Sequence, residues 1–100
     1  MKKLYVLVRD DLSMSQQAVQ SGHAIAEFLF KYANNHDWCN GILVLLSVAP
    51  DHLEKIIYKA EHNDIKVASF YEPDLENQIT AIAALPGSGN HKMFNRYSLL

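Results

Sequence analysis

The chain has 100 residues, of which 49% are hydrophobic and 20% are charged, a composition typical of one globular domain without a bias towards disorder. The formal net charge is −2, so the strongly basic surface that usually accompanies nucleic-acid binding is absent. We therefore expect no DNA partner, and any contact with RNA would have to come from a local patch or an oligomer.

Two features of the sequence bear on the cellular compartment. Cys39 is the single cysteine, so no internal disulfide can form and the chain suits a reducing compartment. The longest apolar run, residues 42–49, is interrupted by Ser47 and is too short to cross a membrane. The opening residues, MKKLYVLVRDD, lack a small-residue cleavage site and predict a strand instead of a signal peptide. We expect a cytoplasmic protein with no membrane partner.

The first strand and the first helix are predicted from residues 4–34. Leu4 to Arg9 (LYVLVR) is an aliphatic run typical of a strand buried on both faces. A turn at 10–12 leads into a long helix, with Ser13 or Ser15 as its N-cap and an end near residue 34. An apolar stripe recurs at three- and four-residue steps along this helix: Ala18, Val19, Gly22, Ala26, Leu29, Phe30 and Ala33. A second line at the same steps is polar: Gln20, His23, Glu27 and Lys31.

The remaining elements follow from aliphatic runs and turn residues. They are strands at 42–48, 66–71 and 79–85, a helix from Pro50 to about residue 62, a turn at 72–78 and a break at 86–90. Asp51 is the expected N-cap of the second helix, with Glu54 completing a capping box. From Lys92 we expect a short helical turn and then an extended end.

The predicted fold is α/β, with three α/β/α layers around a four-stranded mixed sheet. The order of elements is β-α-β-α-β-β plus a short C-terminal segment. The first two connections are long enough for parallel, right-handed crossovers, and the short third connection favours an antiparallel pair. No linker or repeat divides the chain, so residues 1–100 are expected to form a single domain.

Three stretches of the sequence resemble the type-2 peptidyl-tRNA hydrolase family. The first is the opening strand followed by Arg-Asp-Asp-Leu-Ser-Met, within Val8–Met14. The second, Ala18–Ala24 (AVQSGHA), is similar to the family's A-A-Q-x-x-H-A helix signature and is the most specific of the three. The third, Thr80–Ala83 (TAIA), follows an acidic turn and is similar to a late strand of the family. The chain looks like a short, divergent member, similar to peptidyl-tRNA hydrolase domain-containing proteins.

The resemblance implies cleavage of the ester between a peptide and tRNA, with peptidyl-tRNA as the partner and without a cofactor. This reaction needs an activated water, groups that stabilise the oxyanion and a binding site for the tRNA end. His23 is the candidate base or hydrogen-bond donor, because histidine titrates near neutral pH. Gln20 would orient His23 or hold substrate, and Glu72 or Asp74 would supply an acidic partner for the imidazole. A packed helix histidine bonded to nearby backbone is the alternative role for His23.

Five further residues are candidates for substrate binding: Asp10, Asp11, Gln17, Thr80 and Lys92. The two aspartates follow the first strand, where α/β proteins bind ligands, although one of them is also expected to cap the following turn. Cations near the chain ends could form a small phosphate patch, with solvated surface as the alternative. These cations are Lys2, Lys3, Arg9, Lys92 and Arg96.

Two departures from the family pattern motivate other functions. Residues 15–17 (SQQ) lack the lysine that the family carries before its helix, and the turn at 72–76 (EPDLE) lacks its arginine and threonine. A second hypothesis is therefore a catalytically inactive relative that acts as a binding or scaffold module, as a homodimer. A third is an α/β domain that binds a small molecule unrelated to tRNA.

Two further motifs are expected to be structural. His36, Asp37 and Cys39 (HDWC) lack a second group of ligands at zinc-site spacing, which His52, His62 and His91 do not provide, so we predict no metal site. Trp38 is expected to pack over its loop. The glycine-rich residues 86–89 are not followed by the lysine of a phosphate-binding loop and predict a turn.

Overall fold

Two helices and five strands account for most of the chain in the computed structural model, which describes residues 2–87 and 92–100. The helices are α1 (Met14–Tyr32) and α2 (Pro50–His62). The strands are β1 (Lys3–Arg9), β2 (Ile42–Val48), β3 (Lys66–Glu72), β4 (Gln78–Leu85) and β5 (Ser98–Leu99). Short 3₁₀ turns at Pro73–Leu75 and Lys92–Phe94 precede β4 and β5.

The strands form one mixed sheet in the order β3-β4-β1-β2-β5. β1 pairs with β2 in parallel and with β4 antiparallel, and β3 pairs antiparallel with β4. β1, β2 and β3 therefore run in the same direction. Their last residues meet at one end of the sheet, which we call the carboxyl end, together with the first residues of β4. The parallel and antiparallel pairings agree with those expected from the connection lengths.

The sheet differs from the prediction because it has five strands instead of four. The helical turn from Lys92 and the extended end after it are as expected, but the end joins the sheet. Leu99 lies opposite Leu46, and the backbone N–H of Leu100 donates to the carbonyl of Leu45 at 3.0 Å. A two-residue strand is too short to leave a periodic pattern in the sequence. Residues 88–91, which include much of the predicted glycine-rich break and His91, lie outside the described residues.

One helix covers each face of the sheet, which produces the expected three layers. Successive residues of β1 point to opposite faces. Leu4, Val6 and Val8 pack in a cluster with Phe28 of α1. Tyr5 and Leu7 belong to a second cluster, which also contains Leu53, Ile56 and Ala60 of α2. Because β1 is central and contributes to both clusters, its side chains from Leu4 to Val8 are fully or almost fully buried.

The predicted buried face of α1 is wrong. The residues of α1 that are buried are Gln17, Gln20, Ser21, Ala24 and Phe28. From the predicted apolar stripe, Val19, Leu29 and Phe30 are 48%, 40% and 79% exposed. The predicted polar line is also divided, because Gln20 is buried whereas His23, Glu27 and Lys31 are exposed.

The small residues of α1 explain why this face can approach the sheet. Ala24 packs in the same cluster as Ala81 and Ala83 of β4, so small side chains meet on both surfaces. The apolar stripe is consequently turned towards solvent.

Of the two predicted helix N-caps, that of α1 is confirmed and that of α2 is wrong. Ser13 is the N-cap of α1, as expected, and its hydroxyl accepts a hydrogen bond from the backbone N–H of Gln16 at 3.2 Å. The capping box of α2 is wrong, because the helix begins at Pro50 and Ala49, not Asp51, occupies the cap position without a side-chain bond. Asp51 therefore lies in the first turn, where a carboxylate favours the positive end of the helix dipole.

The orientation of α1 predicts opposite outcomes for two phenylalanines. Phe28 is fully buried, so Phe28→Ala is expected to lower the free energy of unfolding by about 3–5 kcal/mol. Phe30 is 79% exposed, so Phe30→Ala is expected to change it by no more than about 0.5 kcal/mol. Urea unfolding of both variants measures the difference. A larger loss for Phe30→Ala than for Phe28→Ala would contradict the observed face.

Candidate functional site

A buried hydrogen-bond network joins α1 to β3 and β4 at the carboxyl end of the sheet. The Gln20 amide accepts a hydrogen bond from the Thr80 hydroxyl at 2.6 Å and donates one to Glu72 Oε1 at 2.7 Å. Its nitrogen also lies 3.5 Å from Gln16 Oε1. Gln20 and Thr80 are 1% and 0% exposed. Three residues that were candidates on sequence grounds are thus brought into one network.

The network tolerates few substitutions, because the buried Gln20 amide needs both an acceptor for its N–H and a donor for its oxygen. Leaving a buried donor or acceptor unpaired costs about 1–3 kcal/mol, so the side chains cannot be exchanged freely. No buried side-chain nitrogen or oxygen within residues 2–87 and 92–100 lacks a partner. The site therefore has a rigid floor, and Glu72 is held at its rim.

Glu72 also organises the acidic turn. Its second oxygen accepts a hydrogen bond from the backbone N–H of Asp74 at 3.4 Å, which caps the 3₁₀ turn Pro73–Leu75. Asp74 is exposed and contacts Glu72 through this backbone group. Of the two acidic candidates, Glu72 is the one that the network holds.

His23 lies one turn along α1 from Gln20, on the exposed side of the helix next to β3. Its ring stacks on Phe70 of β3, with the ring centroids 4.4 Å apart and the planes inclined by 14°. The expected hydrogen bond from the imidazole to an acidic residue is not formed, and the Glu72 carboxylate accepts instead from the Gln20 amide and the backbone N–H of Asp74. No described residue hydrogen-bonds the His23 ring, so stacking orients the imidazole and leaves its nitrogens accessible. The packed, backbone-bonded histidine considered above is not observed.

An ion pair lies at the end of β1. Arg9 Nε and Nη2 donate to the two carboxylate oxygens of Asp11 at 3.0 and 2.7 Å, and Nη1 donates to Gln78 Oε1 at 2.9 Å. The hydrogen bond from Arg9 lowers the pKa of Asp11 below its ordinary value and in turn raises the pKa of Arg9. The guanidinium is therefore largely neutralised, and Asp11 is engaged with protein instead of open to a ligand. Asp10 is exposed, and its backbone N–H donates to Val48 O.

The last two candidates lie away from an open site. Gln17 is 6% exposed, and its amide donates to the carbonyl of Leu12 at 2.7 Å, which fixes the turn before α1. Lys92 begins the 3₁₀ turn whose third residue, Phe94, packs in the cluster beneath α2. Since α1 and the Gln20 network lie on the opposite face of the sheet, the structure does not bring Lys92 to them.

Three neighbours of the site were not predicted to belong to it. Arg9 was predicted as part of a phosphate patch or as solvated surface, and the structure pairs it with Asp11 instead. Gln78 reaches Arg9 only through the pairing of β1 with β4. Phe70 carries no signal in the sequence, because only the pairing of β3 with β4 and the position of α1 place it under His23.

The HDWC segment closes a loop in the structure. His36 Nδ1 accepts a hydrogen bond from the backbone N–H of Trp38 at 3.1 Å, and the indole donates to Ile42 O at 2.9 Å. Trp38 is 8% exposed, which confirms its packing role. Among the described residues, no three His, Cys, Asp or Glu side chains lie close enough to hold a metal ion. No helix within residues 2–87 and 92–100 is both long enough and apolar enough to span a membrane.

Comparisons with known proteins establish the fold but no family. No protein-family model matches the sequence, and no curated protein sequence is significantly similar to it. A solved structure of the protein of unknown function Atu0240 from Agrobacterium tumefaciens strain C58 is similar, with a TM-score of 0.71 and 15% identity. The similarity covers 99% of this chain and 97% of that one. At this identity the likeness concerns the architecture of the whole chain.

Proposed function

We propose that this protein hydrolyses the ester between a peptide and tRNA, or a closely related acyl ester, with His23 as the residue that activates water. The observation that carries the proposal is an accessible imidazole, oriented by Phe70, beside the buried Gln20–Glu72–Thr80 network. The sequence resemblance to type-2 peptidyl-tRNA hydrolases supports the same residues. A cytoplasmic location belongs to the proposal and is supported by the lone cysteine, which is exposed with a free thiol.

The chemistry needs one proton to be moved twice. Neutral His23 takes a proton from water as the oxygen attacks the ester carbonyl, and the imidazolium then returns the proton to the departing ribose oxygen. The products are a peptide carboxylic acid and a free tRNA hydroxyl. The network does not touch the imidazole, so its role in this scheme is to fix α1 and Glu72, and therefore the position of His23 above β3.

Gln78 is the candidate for stabilising the oxyanion. Its side-chain oxygen accepts a hydrogen bond from Arg9, which leaves the amide nitrogen as a donor for a ligand. Gln78 lies opposite Glu72 in the β3–β4 pair, so it is at the same end of the sheet as the network. An oriented donor of this kind stabilises negative charge as it develops on the carbonyl oxygen.

The pairing of Arg9 with Asp11 implies that the site binds tRNA phosphates weakly. Arg9 is the cation at the end of β1, and its charge is compensated by Asp11. Each phosphate contact by a free cation adds to the salt dependence of binding, so few contacts mean a shallow dependence. We therefore attribute substrate affinity mainly to groups other than the phosphates.

The proposed role of His23 predicts the loss of activity in a single variant. His23→Ala is expected to lower kcat for peptidyl-tRNA hydrolysis by about 10²–10⁴-fold, because a general base contributes that much. The measurement is single-turnover release of tRNA from purified peptidyl-tRNA. His62→Ala is the matched control, because His62 is an exposed helix histidine at the end of α2. Equal turnover by wild type and His23→Ala would overturn the proposal.

A second candidate function is a non-catalytic binding module that acts as a homodimer. It is favoured by an uncovered apolar surface on the side of α1 away from β3. This surface, the apolar flank, borders a depression of about 510 Å³ between α1 and β2. Its apolar members are Ile25, Leu29, Trp38 and Leu43. Leu29 and Leu43 are 40% and 43% exposed, and Met14, 70% exposed, lies near the start of the same helix.

A second copy of the chain is the occupant that this surface fits best. The depression has no charged residue in its lining, so a two-fold partner could present the same apolar residues without burying an unpaired charge. Leu29 and Leu43 line the depression, and Met14 is a further exposed apolar residue of α1. A stable interface buries about 800 Å² on each partner, so it would extend past the depression.

If the apolar flank is the dimer interface, charged residues introduced there are expected to separate the subunits. The double variant Leu29→Glu/Leu43→Glu is expected to be monomeric at concentrations where the wild type is a dimer, because the interface would bury two unpaired carboxylates. Sedimentation velocity over a concentration series measures the change. Tyr58→Glu is the control, because Tyr58 is 64% exposed on α2, on the other face of the sheet. A wild type that remains monomeric throughout the series would contradict a homodimer.

A further inference from the structure

The outer side of β3 carries backbone groups that do not bond to β4. β3 is the first strand of the sheet and pairs with β4 alone. The Val67 carbonyl accepts hydrogen bonds from Lys31 Nζ at 2.7 Å and from the Tyr32 hydroxyl at 3.0 Å. The Val67 N–H donates to the same hydroxyl at 2.9 Å. Both backbone groups of Val67 therefore face away from β4 and are capped by α1.

Ser69 presents the same groups without such a cap. In an antiparallel pair, residues that bond to the partner strand alternate with residues that do not. The pairs Val67–Ala84 and Ser69–Ile82 are two residues apart, and the first irregularity in the register comes later, between Phe70 and Tyr71. The N–H and C=O of Ser69 therefore also point outward. No side chain of the described residues hydrogen-bonds to them.

A cleft of about 310 Å³ runs along this outer side. Glu27 and Lys31 of α1 form one wall, Ile57 and Glu61 of α2 form the other, and residues of β3 form the floor. Glu27 lies one helical turn beyond His23 on the same side of α1. The lining of the cleft therefore reaches to within one helical turn of His23 and includes the capped Val67.

We propose that the peptide part of the ester substrate binds in this cleft as an added strand beside β3, an inference that rests on the proposed function. The ester carbonyl is the C-terminal end of the peptide and must lie at His23, above Phe70. The peptide then extends towards Val67, so its direction is parallel to β3. Phe70 and Val67 are three residues apart, and at about 3.3 Å per residue the cleft accepts roughly two to three peptide residues before the Lys31 cap.

Two properties of the cleft favour a peptide over the nucleic acid. Bonds to the Ser69 N–H and C=O recognise any peptide backbone and do not depend on its side chains. Two carboxylates, Glu27 and Glu61, face one ammonium, Lys31, which makes the lining net negative. A net negative lining repels phosphates and attracts the N-terminal ammonium of a short peptide.

The test compares two variants at Ser69 on two substrates. Ser69→Pro removes the outward N–H, and proline is tolerated where a strand N–H does not join the sheet. Ser69→Ala keeps the N–H and is the matched control. For trialanyl-tRNA we expect Ser69→Pro to raise KM by up to about tenfold, the effect of one lost hydrogen bond, with kcat and the KM for N-acetylalanyl-tRNA nearly unchanged. Ser69→Ala is expected to behave as wild type, and thermal unfolding verifies that both variants are folded.

A binding measurement separates this inference from the proposed function. Trialanine is titrated into ¹⁵N-labelled wild-type protein, and the backbone amide resonances of Ala68, Ser69 and Phe70 are followed. Shifts at these residues without hydrolysis of either tRNA ester would support the peptide site and overturn the hydrolase. Hydrolysis of both esters with equal KM in wild type and Ser69→Pro, and without such shifts, would support the hydrolase and overturn the peptide site.

Discussion

The buried amide of Gln20 determines how α1 lies on the sheet. A helix normally turns its most apolar face inwards, and α1 does the opposite at its first turns, where Gln17, Gln20 and Ser21 are buried. This orientation is stable because each polar group has a partner. Gln20 bonds to Thr80 and Glu72, Gln17 bonds to Leu12 O, and the Ser21 hydroxyl bonds to Gln17 O. A satisfied network of this kind also defines one orientation, because rotation of the helix would leave several buried groups unpaired.

Both candidate functions follow from that orientation. With Gln20 directed at β4, His23 lies over Phe70 beside the outer strand of the sheet, and the line from His23 to Lys31 borders the cleft along β3. The opposite side of the helix is then left with Leu29 beside the uncovered Leu43 of β2. A catalytic residue next to a peptide cleft on one side and a surface for a second copy on the other are compatible. The hydrolase and the homodimer therefore do not exclude each other.

Much of the fold could be predicted because its strands are encoded locally. The aliphatic run at Ile42–Val48 has the predicted bounds, and Ser13 caps α1 as expected. The buried face of α1 could not be predicted, because the partners that satisfy Gln20 are 52 and 60 residues away in the chain. The resemblance to a family placed Gln20, Glu72 and Thr80 among the candidates, and the structure joins them. Phe70 and the Ser69 backbone gain their positions only from strand pairing, and β5 is too short for any periodic signal.

The most direct test of this account is a double-mutant cycle between Gln20 and Thr80. Gln20→Met and Thr80→Val remove the polar groups with little change in shape, and urea unfolding gives the stability of each single variant and of the pair. We expect the two effects to be non-additive by about 1–2 kcal/mol, because each single variant leaves the other residue buried without its partner. Additive effects of the two substitutions would contradict the central claim, since the network would then not hold α1 in its orientation.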